Sequence, residues 1–236
     1  IVVQEPELWW PAGYGKQTLY PLMVISQEEK VSKKIGFRDI QVIIEDDEVG
    51  RSMAFQVNGR QIFAKGANWI PVDALPSRQT DTVYRRLLED AVEANMNMIR
   101  LWGGGQYEHD CFYELCDELG LMVWHDMMFS CALYPSDEDF LEEVDKEIRY
   151  QVKRLKDHTS IVLWCGNNED LGALTWFPES RENRDRYVVD YDRLNEGTVG
   201  KAVRQLDPGR VWWPSSPSAG YGDYSDCWHD DTKGDM

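Results

Sequence analysis

The segment Ile161-Val-Leu-Trp-Cys-Gly-Asn-Asn-Glu169-Asp170 begins as a buried strand and turns abruptly polar, which sets a carboxylate, Glu169, at a strand end. A Glu held among aromatic rings can act as a general acid. Apolar surroundings raise its pKa toward working pH, so it can hand a proton to a leaving oxygen, as cleavage of a glycosidic bond requires. Asn168, just before it, can hydrogen-bond a sugar hydroxyl beside the reacting carbon, a contact that strengthens in the transition state. The plain alternative is that Glu169 caps the helix that follows, a task Asp170 can also perform. Other polar and aromatic residues end further apolar segments: Asn68 and Trp69, Arg100 and Trp102, His125 and Asp126, Trp213 and Ser215. Of these, Asn68, Trp69, Arg100, Trp102, Asp126 and Trp213, with Asn168 and with Trp176 shortly beyond Glu169, make a candidate substrate-binding set in which indole rings offer faces for stacking.

Those side chains need elements to hold them. Short apolar segments at 62–67, 98–102, 121–124, Ile161–Cys165 and Val211–Trp213 alternate with amphipathic ones at 80–95, Asp110–Leu119, 137–156 and within 187–206. The spacing of Phe140, Val144, Ile148, Val152 and Leu155 predicts one apolar helix face. Ser136 is the expected N-cap of that helix, and Gly120 the expected left-handed residue ending the one before it. The alternation is an α/β pattern of about five βα units, where a closed barrel needs eight. In a barrel, chemistry gathers at the C-terminal strand ends, where the polar residues above all fall. An open nucleotide-binding sheet requires a glycine-rich phosphate loop, and Gly103-Gly104-Gly105 matches none of its forms. It reads instead as a tight turn that brings backbone close to a ligand. Before this series, residues 19–45 alternate as strands and read as the tail of a β-sandwich. Near residue 50 the pattern changes, and Asn58-Gly59 predicts a hairpin opening a new domain. The expected division is 1–48 and 49–236.

The chain carries 25 basic and 42 acidic residues, a net charge of −17, which disfavours nucleic acid and anionic membrane surfaces as partners. Ten Trp and 11 Tyr suit a hydroxylated ligand stacked on rings, although single Trp residues also fill cores. Five cysteines show neither metal nor disulfide spacing, favouring a cytoplasmic or other reduced compartment, with localisation itself left open. His125-Asp126, with His109 and Cys111 upstream, are weak metal candidates, and His158 and His229 carry no spacing signal. No cofactor and no metal is expected. No stretch approaches the ~20 apolar residues of a membrane span.

The runs WWPAGYGKQTLYPL, IFAKGANWIPVDALPSR, NMNMIRLWGGGQYE, DELGLMVWHDMMFSCALYP and IVLWCGNNED resemble the β-mannosidases of glycoside hydrolase family 2, in order and across nearly the whole chain. The resemblance implies the end of an immunoglobulin-like β-sandwich followed by the first part of a (β/α)8 barrel, and retaining hydrolysis of terminal β-D-mannosides by two glutamates. It implies that Glu169 is the acid/base, and that Arg100, Trp102 and Asp126 line the subsite for the terminal mannose. No second strand-end Glu follows Trp213, so the nucleophile is expected outside this sequence and the fragment is expected to be inactive alone. Self-association of such a fragment is a further expectation. Two other readings stand beside this one. The first is a relative acting on another sugar, such as a β-galactosidase, β-glucuronidase or exo-glucosaminidase. The second is a carbohydrate-binding piece with Trp9, Trp10 and Trp69 on one accessible surface.

Overall fold

The computed structural model describes residues 2–225 and Cys227. The expected loop over 221–236 is thus only partly described, and His229 lies outside the described residues.

The N-terminal part is antiparallel. Strands β1 (Tyr20–Ile25) and β2 (Lys30–Ile35) form a hairpin, and β3 (Ile40–Asp46), β4 (Arg51–Val57) and β5 (Arg60–Ile62) form a three-stranded sheet. The β4–β5 turn is the expected one: Asn58 and Gly59 both take positive φ, 50° and 77°, as a two-residue hairpin turn requires. The division expected between residues 48 and 49 falls in the turn joining β3 to β4, which pair from Ile40↔Val57 to Asp46↔Arg51.

The remainder is a parallel sheet in the order β10-β9-β8-β7-β6, with strands β6 (Gly66–Trp69), β7 (Met98–Leu101), β8 (Met122–Asp126), β9 (Ile161–Cys165) and β10 (Val211–Trp213). The first crossovers are α1 (Asp81–Glu93), α2 (Asp110–Leu119) and α3 (Glu138–Leu155). The last contains α4 (Asp170–Ala173), α5 (Pro178–Glu182), α6 (Arg184–Leu194), a π-helical stretch (Asn195–Gly200) and α7 (Lys201–Leu206). This parallel, helix-covered sheet resembles part of a barrel.

Three local expectations change. The first parallel strand is Gly66–Trp69 and not 62–67, because Ile62 pairs with Phe55 in the hairpin. The α3 N-cap is Asp137, whose side chain accepts from the Phe140 amide at 3.1 Å, while Ser136 turns away to donate to Asp190 at 2.5 Å. The single helix expected within 187–206 is broken by the π-helical stretch, which turns Asn195 toward the C-terminal strand ends. Gly120 does end α2, at φ 78°.

Strand alternation divides the interior into two cores. Ile99, Leu101, Val123 and Trp164 face the helices and pack with Leu88, Phe112 and Ile148. Met98, Met122, Trp124, Cys165 and Trp213 face the other way, against Trp9, Phe55, Val57 and Ile62 from the antiparallel part. The N-terminal rungs of the concave face are therefore stoppered by the hairpin, Phe55 meeting Trp124 edge-on at 6.3 Å. Trp9 is fully buried and its indole donates to the Asp117 carbonyl at 2.8 Å. Truncating such a residue costs ~3–5 kcal/mol. Only the C-terminal rungs of the concave face are left for polar side chains.

Candidate active site

Register places the polar rungs side by side. Asn68 lies opposite Arg100 across β6 and β7, so the two share a face of the sheet. Arg100 reaches across β8, its Nε and Nη2 donating to Asp126 Oδ1 and Oδ2 at 3.3 and 2.8 Å, and Nη2 also donates to Asn168 Oδ1 at 2.9 Å. Asp126 is fully buried and accepts two more hydrogen bonds, from Trp124 Nε1 at 2.9 Å and the Gly103 amide at 3.0 Å. Burial pushes its carboxyl above the ordinary carboxylate range, while Arg100, Gly103 and Trp124 all pull it down. With its oxygens accepting from these protein donors, Asp126 holds Arg100 in place.

Gly103 must be glycine for this to work. A Cβ there would stand 2.4 Å from the Phe129 carbonyl oxygen and 2.8 Å from that of Met127. The neighbouring Gly104 lies under the half-buried Trp102, where a Cβ would come within 2.1 Å of the indole. The glycine run thus seats backbone against backbone and a ring against backbone.

Glu169 follows β9 in a left-handed conformation, φ 69°. Its amide donates to Ser216 O at 3.0 Å and its carbonyl accepts from Ala173, so it stands at the N-cap position of α4, but its side chain makes no capping bond. The carboxylate instead accepts from Cys131 Sγ at 3.1 Å. Cys131 also takes a hydrogen bond from Asn168 Nδ2 at 3.3 Å. A continuous chain therefore runs Asp126, Arg100, Asn168, Cys131, Glu169 across the ends of three adjacent strands. Beneath it, buried Asn167 accepts from Ser215 Oγ at 2.6 Å and donates to Asn195 Oδ1 at 3.0 Å and the Pro214 carbonyl at 3.1 Å, tying β9 to β10 and to the π-helical stretch.

Burial raises the Asp170 carboxyl markedly, pushing it up to about 8; the charges of Asp126 and Glu169 act in the same direction, against the Ala132 amide that donates to it at 3.2 Å. One expectation changes: Trp69 faces the helices. Its ring stacks on Tyr84 at 6.3 Å, and its indole donates to Glu108 at 3.0 Å. With Trp9 buried, Trp10 half-buried and Trp69 turned inward, the three do not share an accessible surface, and the carbohydrate-binding platform reading loses its basis. Trp213 points into the concave face but is buried in its core, and Trp176 is half-buried beside Phe177. His125 faces the helices, between Tyr107 and Tyr113. Its Nε2 lies 2.9 Å from Tyr113 Oη, and burial lowers its pKa to about 3, so it stays neutral. It points away from the face occupied by Asp126, so the pair cannot share a metal. His158 is partnered by Asp117, at 2.7 Å.

No protein-family model matches the chain. It is 43% identical over 231 residues to the β-mannosidase of Bos taurus, covering 94% of this chain. It is 42% identical over 246 residues to β-mannosidase B of Emericella nidulans, covering 99% of this chain. Among solved structures, the β-D-mannosidase of Dictyoglomus thermophilum superposes with a TM-score of 0.83 at 42% identity over 94% of the chain.

The chain is a β-mannosidase homologue. It spans 26% and 29% of the length of the two curated β-mannosidases and 28% of the solved one. An exo-chitosanase of Amycolatopsis orientalis, TM-score 0.71 at 22% identity, shares the fold alone. Homology to β-mannosidases accounts for the resemblance of the parallel sheet to part of a barrel, and the segments IRLWGGG, VWHDMMFSC and WCGNNED build the hydrogen-bonded chain just described.

Proposed function

We propose that this chain supplies the acid/base, Glu169, and part of the sugar-binding surface of a retaining hydrolase that removes terminal β-D-mannose from the non-reducing ends of oligosaccharides. The observation that carries the reading is the position of Glu169. It stands at the C-terminal end of a parallel strand, is free of any capping role, and is tied through Cys131 and Asn168 to the Arg100–Asp126 pair. Asn68, Arg100, Trp102 and Asn168 are the residues proposed to meet the sugar, with Asp126 acting through Arg100. Trp176 and Trp213 are retained as candidates for more distant contacts.

Retention uses two carboxylates about 5–5.5 Å apart. Among the described residues no second Glu stands at a strand end, so the nucleophile is assigned to a part of the protein outside these residues, and the piece alone to inactivity. Residues 1–48 are proposed as the end of an immunoglobulin-like sandwich and 49–236 as the first part of the barrel, the turn between β3 and β4 being where one passes into the other. Strands β6 and β10 each pair on one side only among the described residues, and such edges recruit a further strand, from the rest of the protein or from a second copy.

The test is the full-length protein with Glu169→Gln, assayed on aryl β-D-mannosides with good and poor leaving groups. Loss of an acid/base lowers turnover by ~10²–10⁴-fold where the leaving group needs a proton, and by less where it does not. Equal turnover of wild type and variant on the poor leaving group would rule the assignment out.

A further inference from the structure

Glu169 is not the only strained residue at this site. Cys131, in the loop after β8, also takes a left-handed backbone conformation, φ 55°, one that a non-glycine residue adopts only when its surroundings enforce it. The enforcement is visible. The Asn168 amide donates to the Phe129 carbonyl at 3.0 Å, and the Cys131 amide donates to the Asn168 carbonyl at 2.8 Å. The loop is thereby stitched to the segment that carries the acid/base, and two left-handed residues face each other across the stitch. Left-handed backbone at both residues turns the Cys131 thiol onto the Glu169 carboxylate.

The thiol is also well connected. It accepts from Ser130 Oγ at 3.2 Å and from Asn168 Nδ2 at 3.3 Å, and its own hydrogen points to Glu169 Oε2 at 3.1 Å. Two donors aimed at the sulfur leave it one favourable use for its proton. Cys131 is exposed, yet the desolvation it does undergo pushes the thiol above its ordinary value, helped by the Glu169 hydrogen bond and charge and opposed by the Ser130 and Asn168 bonds, so it stays a donor at neutral pH.

We propose that Cys131 is a positioning residue for Glu169: its thiol holds one carboxylate oxygen and favours the ionised form, while anchoring the Asn168 amide that the same site presents to the sugar. This rests on the acid/base reading of Glu169. In a retaining reaction the same carboxyl must be an acid in one step and a base in the next. A weak S–H donor stabilises the base form while leaving the carboxyl able to take up a proton again. Among the described residues, the titratable and charged groups near Glu169 include Cys131 on the β8 loop, Asp170 next in the chain, and the Arg100–Asp126 pair acting through Asn168.

The test uses the full-length protein as wild type, Cys131→Ala, Cys131→Ser and Glu169→Gln, with kcat/KM for a poor-leaving-group β-D-mannoside followed across pH and Tm measured for each. Removing a donor to the ionised carboxylate favours the protonated form. In Cys131→Ala the basic limb, where the acid form is lost, therefore moves up by on the order of 0.5 pH unit, and in Cys131→Ser, which keeps a donor, it returns toward wild type. An unmoved limb in Cys131→Ala overturns the inference. So does an equal loss of activity at every pH in both cysteine variants alongside a common fall in Tm, which would make Cys131 a packing residue. The Glu169→Gln arm separates the two levels. Its retention of activity would overturn the acid/base reading, whereas its loss together with an unmoved limb overturns only the role of Cys131.

Discussion

Arg100 meets Asp126 at two points, 2.8 and 3.3 Å, and the Asp126 carboxylate has no exposed surface. The same guanidinium goes on to Asn168, so one buried carboxylate fixes the arm that reaches the residue before Glu169. Asp126→Asn would place an amide donor among the Arg100, Trp124 and Gly103 donors and remove the charge that meets the Arg100 guanidinium. Removing one partner of a buried pair costs ~3–5 kcal/mol. The expected outcome is a large fall in thermal stability together with a loss of at least about 10²-fold in kcat/KM on a β-mannoside, since 1.36 kcal/mol is tenfold in rate. Near-wild-type values of both would show that the pair is dispensable.

Gly104 tests the ring above it. An alanine there needs no unusual backbone, but its Cβ would fall within 2.1 Å of the Trp102 indole and push the ring aside. Because Gly104 is exposed, stability should change by less than ~1 kcal/mol. If Trp102 binds ground state and transition state alike, KM for a β-mannoside rises several-fold while kcat holds. An unchanged KM would remove Trp102 from the sugar subsite.

Asp170 gives a pH prediction with a definite sign. Its carboxyl is pushed from 3.8 up to about 8 in the folded protein, first by burial. Between those values the native state holds a proton that the unfolded chain has released, so stability falls as pH rises, by up to ~1.4 kcal/mol per pH unit. Asp170→Asn keeps an oxygen for the Ala132 amide and removes the titration. Unfolding followed from pH 5 to 8 should show a flatter dependence and greater stability at the upper end for the variant. A wild type whose stability is level across that range would contradict the shift.

These predictions separate what is written locally from what is not. The helices of the first three crossovers, the Asn58-Gly59 turn and the left-handed Gly120 follow from periodicity and from residues with strong backbone preferences, and all lie where the spacing predicts. So does the strand that leads to Glu169, because an apolar run turning polar has one natural place in a parallel sheet. The first parallel strand begins later than the spacing predicts because Ile62, apolar and β-branched, fits a hairpin and a barrel strand equally well. Only its pairing with Phe55 decides between them. A strand-end Trp looks the same whichever face it takes, and the register of β6 turns Trp69 to Tyr84 and Glu108 and not to a ligand face.

The sequence by itself determined the α/β alternation, the resemblance to β-mannosidases and the candidacy of Glu169, Asn168, Arg100 and Asp126, since these rest on local chemistry and linear order. Tertiary structure alone decided that Asp126 is spent on Arg100, that burial raises the Asp170 carboxyl, and that Cys131 stands against Glu169. Each of those depends on contacts between residues 26 to 44 positions apart in the chain, or on backbone φ values that no residue preference at Cys131 or Glu169 announces.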